Sequence, residues 1–186
     1  MAGPGETNVP NLVAMTGLPC SGKTKISNYL VNRLGFVRLS FDMMREQLYG
    51  VTDYPTFIQQ PGWSAKEQSM FGVIQASKYQ LIGGGLDVVI DSTASFRSIR
   101  DMLMDTRTQE GGVLPARKLL IYLKVEPVVI RNRSSGKGRN QDPIAMWSDY
   151  WEEPVESDYG VLTYENNRPE DLVRILEDLD KRFHRQ

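Results

Sequence analysis

Cysteine and histidine are nearly absent from this chain. Cys20 is its one thiol and His184 its one imidazole. An intrachain disulfide is therefore excluded, and no Cys/His group has metal-ligand spacing. A reducing, cytoplasmic setting is the expectation. Long apolar runs are missing too: nothing approaches the roughly 18 residues that a membrane helix requires. The opening "MAGPGETNVP" lacks the charged-then-apolar pattern of a secretory signal. Residues 1–10 are expected to be a disordered tail, and 11–186 a single domain. Excess charge is also missing. Lys and Arg number 22 against 23 Asp and Glu, the net charge is −1 and the pI is about 5.9. No global basic field exists, so a nucleic acid partner would have to be held by a local patch. There are no internal repeats or low-complexity blocks, and nothing marks an obligate protein partner.

What is present is ordinary globular composition: 186 residues, 40% apolar and 24% charged, enough for one core. Strand and helix patterns alternate. "NLVAMTG" (11–17), "FVRLSFD" (36–42), "GGGLDVVID" (83–91), "RKLLIYLKV" (117–125) and "GVLTYEN" (160–166) read as strands. Between them, 23–35, 43–50, 64–82 and 95–110 read as helices. Ser64 with Glu67 has capping-box spacing, and Gly35 is a stop signal. Residues 51–63, with Pro55, Pro61 and Gly62, read as a loop, and "IAMWSDYWEE" (144–153) as helical. In the last helix Leu172, Ile175, Leu176, Leu179 and Phe183 form one stripe after Pro169. This alternation predicts an α/β fold, a parallel sheet with helices on both faces. Ligands of such sheets bind beyond the carboxyl ends of the strands.

One loop sits at such an end. Gly17, Leu18, Pro19, Cys20, Ser21, Gly22, Lys23 and Thr24 match G-x-x-x-x-G-K-[ST] without a mismatch, between an apolar strand and a helix. Glycines let successive N–H groups point at phosphate oxygens, and the helix N-terminus adds partial positive charge. Lys23 supplies a charge for the β- and γ-phosphates, and Thr24 a hydroxyl for Mg²⁺. The loop therefore predicts ATP and Mg²⁺ as ligands. Cys20 reads as a small loop residue facing away from them.

Three more clusters follow. Asp42 and Arg45 are three apart, one face of a helix. They fit a base that takes a proton from a hydroxyl and an arginine that grips the acceptor; they equally fit an N-cap aspartate with a surface arginine. Asp91 closes an apolar strand and suits the metal side of a phosphoryl-transfer site; a helix cap shared with Ser92, Thr93 and Ser95 is the alternative. Arg97 and Arg100 read as exposed or supporting. Arg131, Arg133, Lys137 and Arg139 lie in a Gly/Ser-rich segment without an acid. This fits a mobile basic lid over about 131–142, with Arg131 and Arg139 as the preferred catalytic members; a solvated basic loop is the other reading.

These clusters, in this order over roughly residues 11–183, resemble the small P-loop kinases, in particular the polynucleotide 5′-kinase branch. The zeta-toxin and chloramphenicol phosphotransferase groups are similar. The resemblance implies a three-layer fold with five parallel strands in the order 2-3-1-4-5. It implies Asp42 as general base, Arg45 on an acceptor phosphate, a lid arginine at the transition state, and adenine near residues 166–169, with Asn167 as the candidate contact. The acceptor would be a hydroxyl-bearing small molecule or a nucleic acid 5′-end. Tyr49, Tyr54, Phe57, Trp63 and Phe71 beside Asp42 fit base stacking, a small pocket or plain packing. Lys66 and Lys78 are the cations there, against Glu46, Asp53 and Glu67. The competing class is a nucleotide-binding switch or NTPase without an acceptor. The chain has no guanine-reading N-K-x-D and is short for an AAA+ module with its small helical domain.

Overall fold

The computed structural model describes residues 9–108, 110–136, 142, 144–145, 147–155 and 159–184. Five strands, β1 (Asn11–Thr16), β2 (Val37–Ser40), β3 (Val88–Asp91), β4 (Arg117–Lys124) and β5 (Gly160–Glu165), form one sheet in the order β2-β3-β1-β4-β5. Every pairing is parallel, as the alternating pattern and the kinase resemblance predicted. Seven α-helices accompany them among the described residues: α1 (Lys23–Leu34), α2 (Phe41–Tyr49), α3 (Tyr54–Ile58), α4 (Trp63–Gly83), α5 (Arg97–Met104), α6 (Pro127–Ser135) and α7 (Pro169–Phe183).

Strand alternation sorts the core into two layers. Leu12, Ala14, Val88, Ile90 and Leu120 pack with Ile74 and Ile82 of α4 and Leu103 and Met104 of α5. Val13, Met15, Val89, Ile121 and Leu123 pack on the other side with Ile26 and Leu30 of α1 and Ile175, Leu179 and Phe183 of α7. The stripe read from the last helix is thus the face that α7 buries. Gly35 ends α1 in the left-handed conformation, as the stop signal implied, and donates to the carbonyls of Leu30 and Val31.

Several boundaries differ from the sequence expectation. Residues 54–58 are helical, because the Asp53 side chain accepts from the Thr56 N–H and Pro55 suits the first turn. Helix α4 starts at Trp63 after left-handed Gly62, so Ser64 lies inside it and the expected capping box does not form. Among the described residues of 144–153 the one helical element is a 3₁₀ turn, Ser148–Tyr150. The segment expected as a lid from 131 begins as the end of α6; Arg139, Lys137 and residues 1–8 of the tail lie outside the described residues.

Helix α5 stops at Met104, not 110, and Lys78 explains why. Its side chain, fully buried on α4, donates to the carbonyls of Met102 (3.3 Å), Leu103 (3.2 Å) and Asp105 (2.5 Å). The ammonium fills the C-terminal end of α5, where carbonyls lack helical partners. Asp105 then turns its carboxylate to Arg107 at 2.8 Å, and an antiparallel bridge, Arg107 with Val113, carries the chain away. Lys78 is therefore no acceptor-side cation.

Burial pushes the Lys78 ammonium down from 10.5 to about 8. Between those values the unfolded chain holds a proton that the folded chain does not, so stability rises with pH across the window. Lys78→Met leaves three carbonyls without their donor and should cost about 2 kcal/mol at neutral pH. The deficit relative to the native chain should widen between pH 8 and 10, read as the difference in Tm. A constant gap would contradict the burial of the charge.

Candidate active site

The loop after β1 turns its carbonyl oxygens outward, and named donors hold them there. Lys23 Nζ donates to the carbonyls of Gly17 (2.7 Å) and Leu18 (3.0 Å). The Ser21 N–H also reaches the Leu18 carbonyl, at 3.2 Å. An Arg133 guanidinium nitrogen from α6 lies 3.5 Å from the Cys20 carbonyl. Asn166, at the end of β5, donates from Nδ2 to the Ser21 carbonyl at 2.7 Å. The Gly22 carbonyl starts α1 by accepting from the N–H groups of Lys25 and Ile26. With these carbonyls engaged, an anion at the α1 N-terminus would meet loop N–H groups other than those of Gly17 and Ser21, which are already donated.

Two glycines make the turn possible. A Cβ on Gly17 would stand 2.8 Å from the Leu123 carbonyl oxygen, and one on Gly22 2.6 Å from Asn166 Nδ2. Both residues have positive φ, 142° and 108°. Cys20 shares the left-handed region at φ 65° and is half-buried. The loop is also tied to the end of β3. The Thr16 hydroxyl donates to the carbonyls of Thr93 and Ala94, and the Gly17 N–H to that of Thr93 at 3.4 Å.

Asp91 ends β3 level with Ser40 of β2 and is 7% exposed. Its Oδ2 accepts from the Ser27 hydroxyl at 2.9 Å. Ser27 is one turn beyond Thr24 on α1 and also donates to the Thr24 carbonyl. Asp91 thus faces the helix that carries Thr24, on the donor side of the loop. It caps no helix: the α5 N-terminus receives Glu152, whose Oε2 accepts from the Arg97 N–H. Arg100 is buried and holds the carbonyls of Ala94 and Ser95, each at 3.0 Å, a supporting role; Arg97 is exposed and pairs with Asp101.

Asp42 and Arg45 meet, but in unequal surroundings. Ser40, not Asp42, caps α2. The Asp42 side chain is 77% exposed and Oδ1 lies 2.8 Å from an Arg45 nitrogen; the Arg45 side chain is 6% exposed. Tyr54 and Phe57 of α3 cover the guanidinium, ring centroids 5.4 and 5.5 Å away. The surface-arginine reading is therefore excluded. Phe57, Val51 and Met70 form a small core of their own here. Of the five aromatics, Phe57, Tyr49 and Phe71 pack, Trp63 is exposed, and Tyr54 stacks on Trp147 at 5.5 Å. Burial, with Glu67 beside it, pushes the Tyr54 hydroxyl up to about 12.

The basic segment is not assembled as expected. Arg131 pairs with Asp142 at 3.0 Å, while its neighbour Arg133 is the one at the phosphate loop. Asn167, the expected adenine contact, bonds at the head of α6. Its Oδ1 accepts from the Glu126 N–H at 2.8 Å; Asn166 makes the loop contact. Ser27 was missed by reading the sequence, while Arg133 and Asn166 lay in named segments without being singled out. Each is a common polar residue near a motif, and only the meeting of α1 with β3, of α6 with the loop and of the β5 end with the loop singles it out.

Among the described residues no group of three or more His, Cys, Asp and Glu is placed to hold a metal, and no helix is long and apolar enough to cross a membrane.

A family model described as an AAA domain matches residues 12–153. Among solved structures, the chain is similar to a sugar kinase from Janibacter sp. HTCC2649, with 19% identity, 92% of this chain and 95% of that one covered, and a TM-score of 0.64. It is similar to the Mycobacterium tuberculosis APS kinase in complex with AMPPNP and APS (15% identity, 92% and 96% covered, TM-score 0.61). A shikimate kinase from Bacteroides thetaiotaomicron matches with 14% identity, 93% and 98% covered and a TM-score of 0.58. These likenesses establish the P-loop kinase fold over nearly the whole chain. No curated protein matches the sequence.

The crowding at Gly22 is testable. Gly22→Ala should cost about 1–3 kcal/mol through a strained φ and the displacement of Asn166. Gly72→Ala, in the exposed interior of α4 with open space around it, should gain up to about 1 kcal/mol. Urea unfolding of both variants measures the contrast; equal effects would contradict the geometry.

Proposed function

The chain belongs to the AAA domain family matched over residues 12–153, and on its kinase fold we propose that it is an ATP-dependent phosphotransferase acting on a hydroxyl acceptor. The observation that carries this reading is the phosphate loop with its carbonyls drawn outward, beside a buried carboxylate at the end of β3. The solved kinases of the same fold support it.

The roles follow from the positions. Loop N–H groups other than those of Gly17 and Ser21, which are already donated, together with the α1 N-terminus, hold the phosphates; Pro19 has none to offer. Lys23, which holds two loop carbonyls, brings its positive charge to the β- and γ-phosphate oxygens from the same position. Thr24 and Asp91 supply a hydroxyl and a carboxylate, hard oxygen donors that suit Mg²⁺; they are the residues that would hold it. When bound, the ion neutralises charge on the phosphates. The Ser27 hydrogen bond fixes the Asp91 carboxylate for that task. Buried hydroxyls of Ser21 and Ser92 without a hydrogen-bond partner fit a site that a polar ligand completes.

Asp42 is the general base. Exposed at the head of α2, its carboxylate is oriented by buried Arg45. It takes the proton of the acceptor hydroxyl as that oxygen bonds to the γ-phosphorus. The bond from phosphorus to the bridging oxygen breaks, and ADP leaves. Arg133, closest of the basic segment to the loop, is the candidate cation for the transferring group; Arg131 and Arg139 are the alternatives from the same segment. Residues 166–169 are the candidate adenine contact. A small-molecule acceptor fits best. Arg45 is covered by aromatic rings and already paired, and Glu46 and Asp53 are exposed nearby. A nucleic acid end would require backbone cations and show steep salt dependence.

The test is label transfer from γ-labelled ATP to a panel of sugars, polyols, amino alcohols and a 5′-hydroxyl oligonucleotide. Lys23→Ala should abolish transfer. Asp42→Asn should slow it by about 10²–10⁴-fold with ATP affinity retained. Normal transfer by Asp42→Asn would remove the base assignment. Tight ATP binding with no transfer to any acceptor would support a nucleotide switch instead.

A further inference from the structure

Asn166 is 4% exposed; it opens the candidate adenine segment, but no step of the transfer assigns its side chain a task. Its backbone N–H is satisfied by the Lys124 carbonyl at 3.1 Å. Its side chain reaches across 145 residues to the Ser21 carbonyl at 2.7 Å. No Cβ fits at Gly22 because the Asn166 amide is already there, 2.6 Å from where it would stand. The contact is thus built from both sides: a buried donor on β5 and a glycine that admits it.

We infer that Asn166 is a positioning residue for the phosphate loop: it holds the Ser21 carbonyl outward and so sets the affinity for the triphosphate itself. The inference rests on the phosphate-loop reading above. A carbonyl and an N–H of neighbouring residues share one peptide plane, so their directions are linked. Fixing the Ser21 carbonyl outward fixes the Gly22 N–H on the opposite side, toward the anion. Released, that carbonyl is free to turn inward, where its negative end repels phosphate. The next residue gives the arrangement a reach beyond the loop. Asn167 clamps the head of α6 through Glu126 and donates its N–H to Asp171 at the start of α7. The β5–α7 turn therefore ties the phosphate loop, the arginine-bearing helix and the candidate base contact together.

The experiment separates a phosphate-loop role from a base contact by using a ligand with no base. Calorimetric titration with inorganic tripolyphosphate and with ATP is compared for the native chain, Asn166→Ala and the near-isosteric Asn166→Asp, with folding checked by circular dichroism. Both ligands should weaken by about tenfold in Asn166→Ala and by more in Asp, whose carboxylate faces the Ser21 carbonyl. The two ligands should weaken by the same factor. Loss of ATP affinity with tripolyphosphate binding unchanged would overturn the inference, as would no change for either ligand. A native chain that binds neither ligand would remove the phosphate-loop reading and this inference with it. Should the variants not fold, ¹⁵N NMR of the native chain decides. The Asn166 side-chain amide should be protected from exchange and shift on adding tripolyphosphate; an exposed or unresponsive amide would overturn the proposal.

Discussion

A backbone that binds an anion through its N–H groups must send its carbonyl oxygens elsewhere, and the rest of this site depends on how that is done. The loop from Gly17 to Gly22 cannot satisfy those oxygens by helix or sheet pairing. They are taken up one by one by Lys23, Ser21, Arg133, Asn166 and the first turn of α1. These donors come from four parts of the fold: the loop itself, α6, the end of β5 and α1. The order of the sheet makes this possible. With β1 in the middle, between β3 and β4, its loop has neighbours on both sides. Thr93 and Ala94 flank it from β3, Leu123 from β4, and Asn166 from β5 beyond.

The acceptor side follows a different logic. Helix α4 packs on the sheet through Ile74 and Ile82 and α2 through Phe41, while a small cluster around Phe57 and the Arg45 guanidinium under two rings join α2, α3 and α4 to one another. Arg45 spends its charge on cohesion and on orienting Asp42. The Asp42 carboxylate, the proposed base, is thereby exposed beside a buried cation, with Tyr54 stacked against Trp147 nearby. Lys78 performs a comparable service on the other side of α4, ending α5 with its ammonium. In both cases a buried cation fixes a helix end or a carboxylate in the layer behind the site.

Much of this was legible in the sequence because periodicity and glycine placement are local signals. The five strands, the buried stripe of α7 and the Gly17–Thr24 loop follow from spacing alone. The strand order came from the kinase resemblance. What failed was side-chain direction and the irregular segments. Residues 54–58 read as a loop because two prolines and a glycine flank or enter them, while Asp53 capping makes a short helix. Ser64 had the spacing of a cap but sits after a left-handed glycine that starts the helix earlier. Arg131 was expected at the transition state and Asn167 at the adenine; the side chains that reach the phosphate loop are those of Arg133 and Asn166, which spacing did not single out. A one-residue shift on a strand or turn, or a two-residue shift on a helix, reverses direction, and no composition signal distinguishes such neighbours.

On the proposed reading the phosphates, not the adenine, supply the binding energy, since the loop backbone is organised around them. The most direct measurement is the affinity of the native chain for ATP, ADP and adenosine under one set of conditions with Mg²⁺ present. Affinity is expected to fall stepwise as phosphates are removed and to be negligible for adenosine. Adenosine binding as tightly as ATP would contradict it.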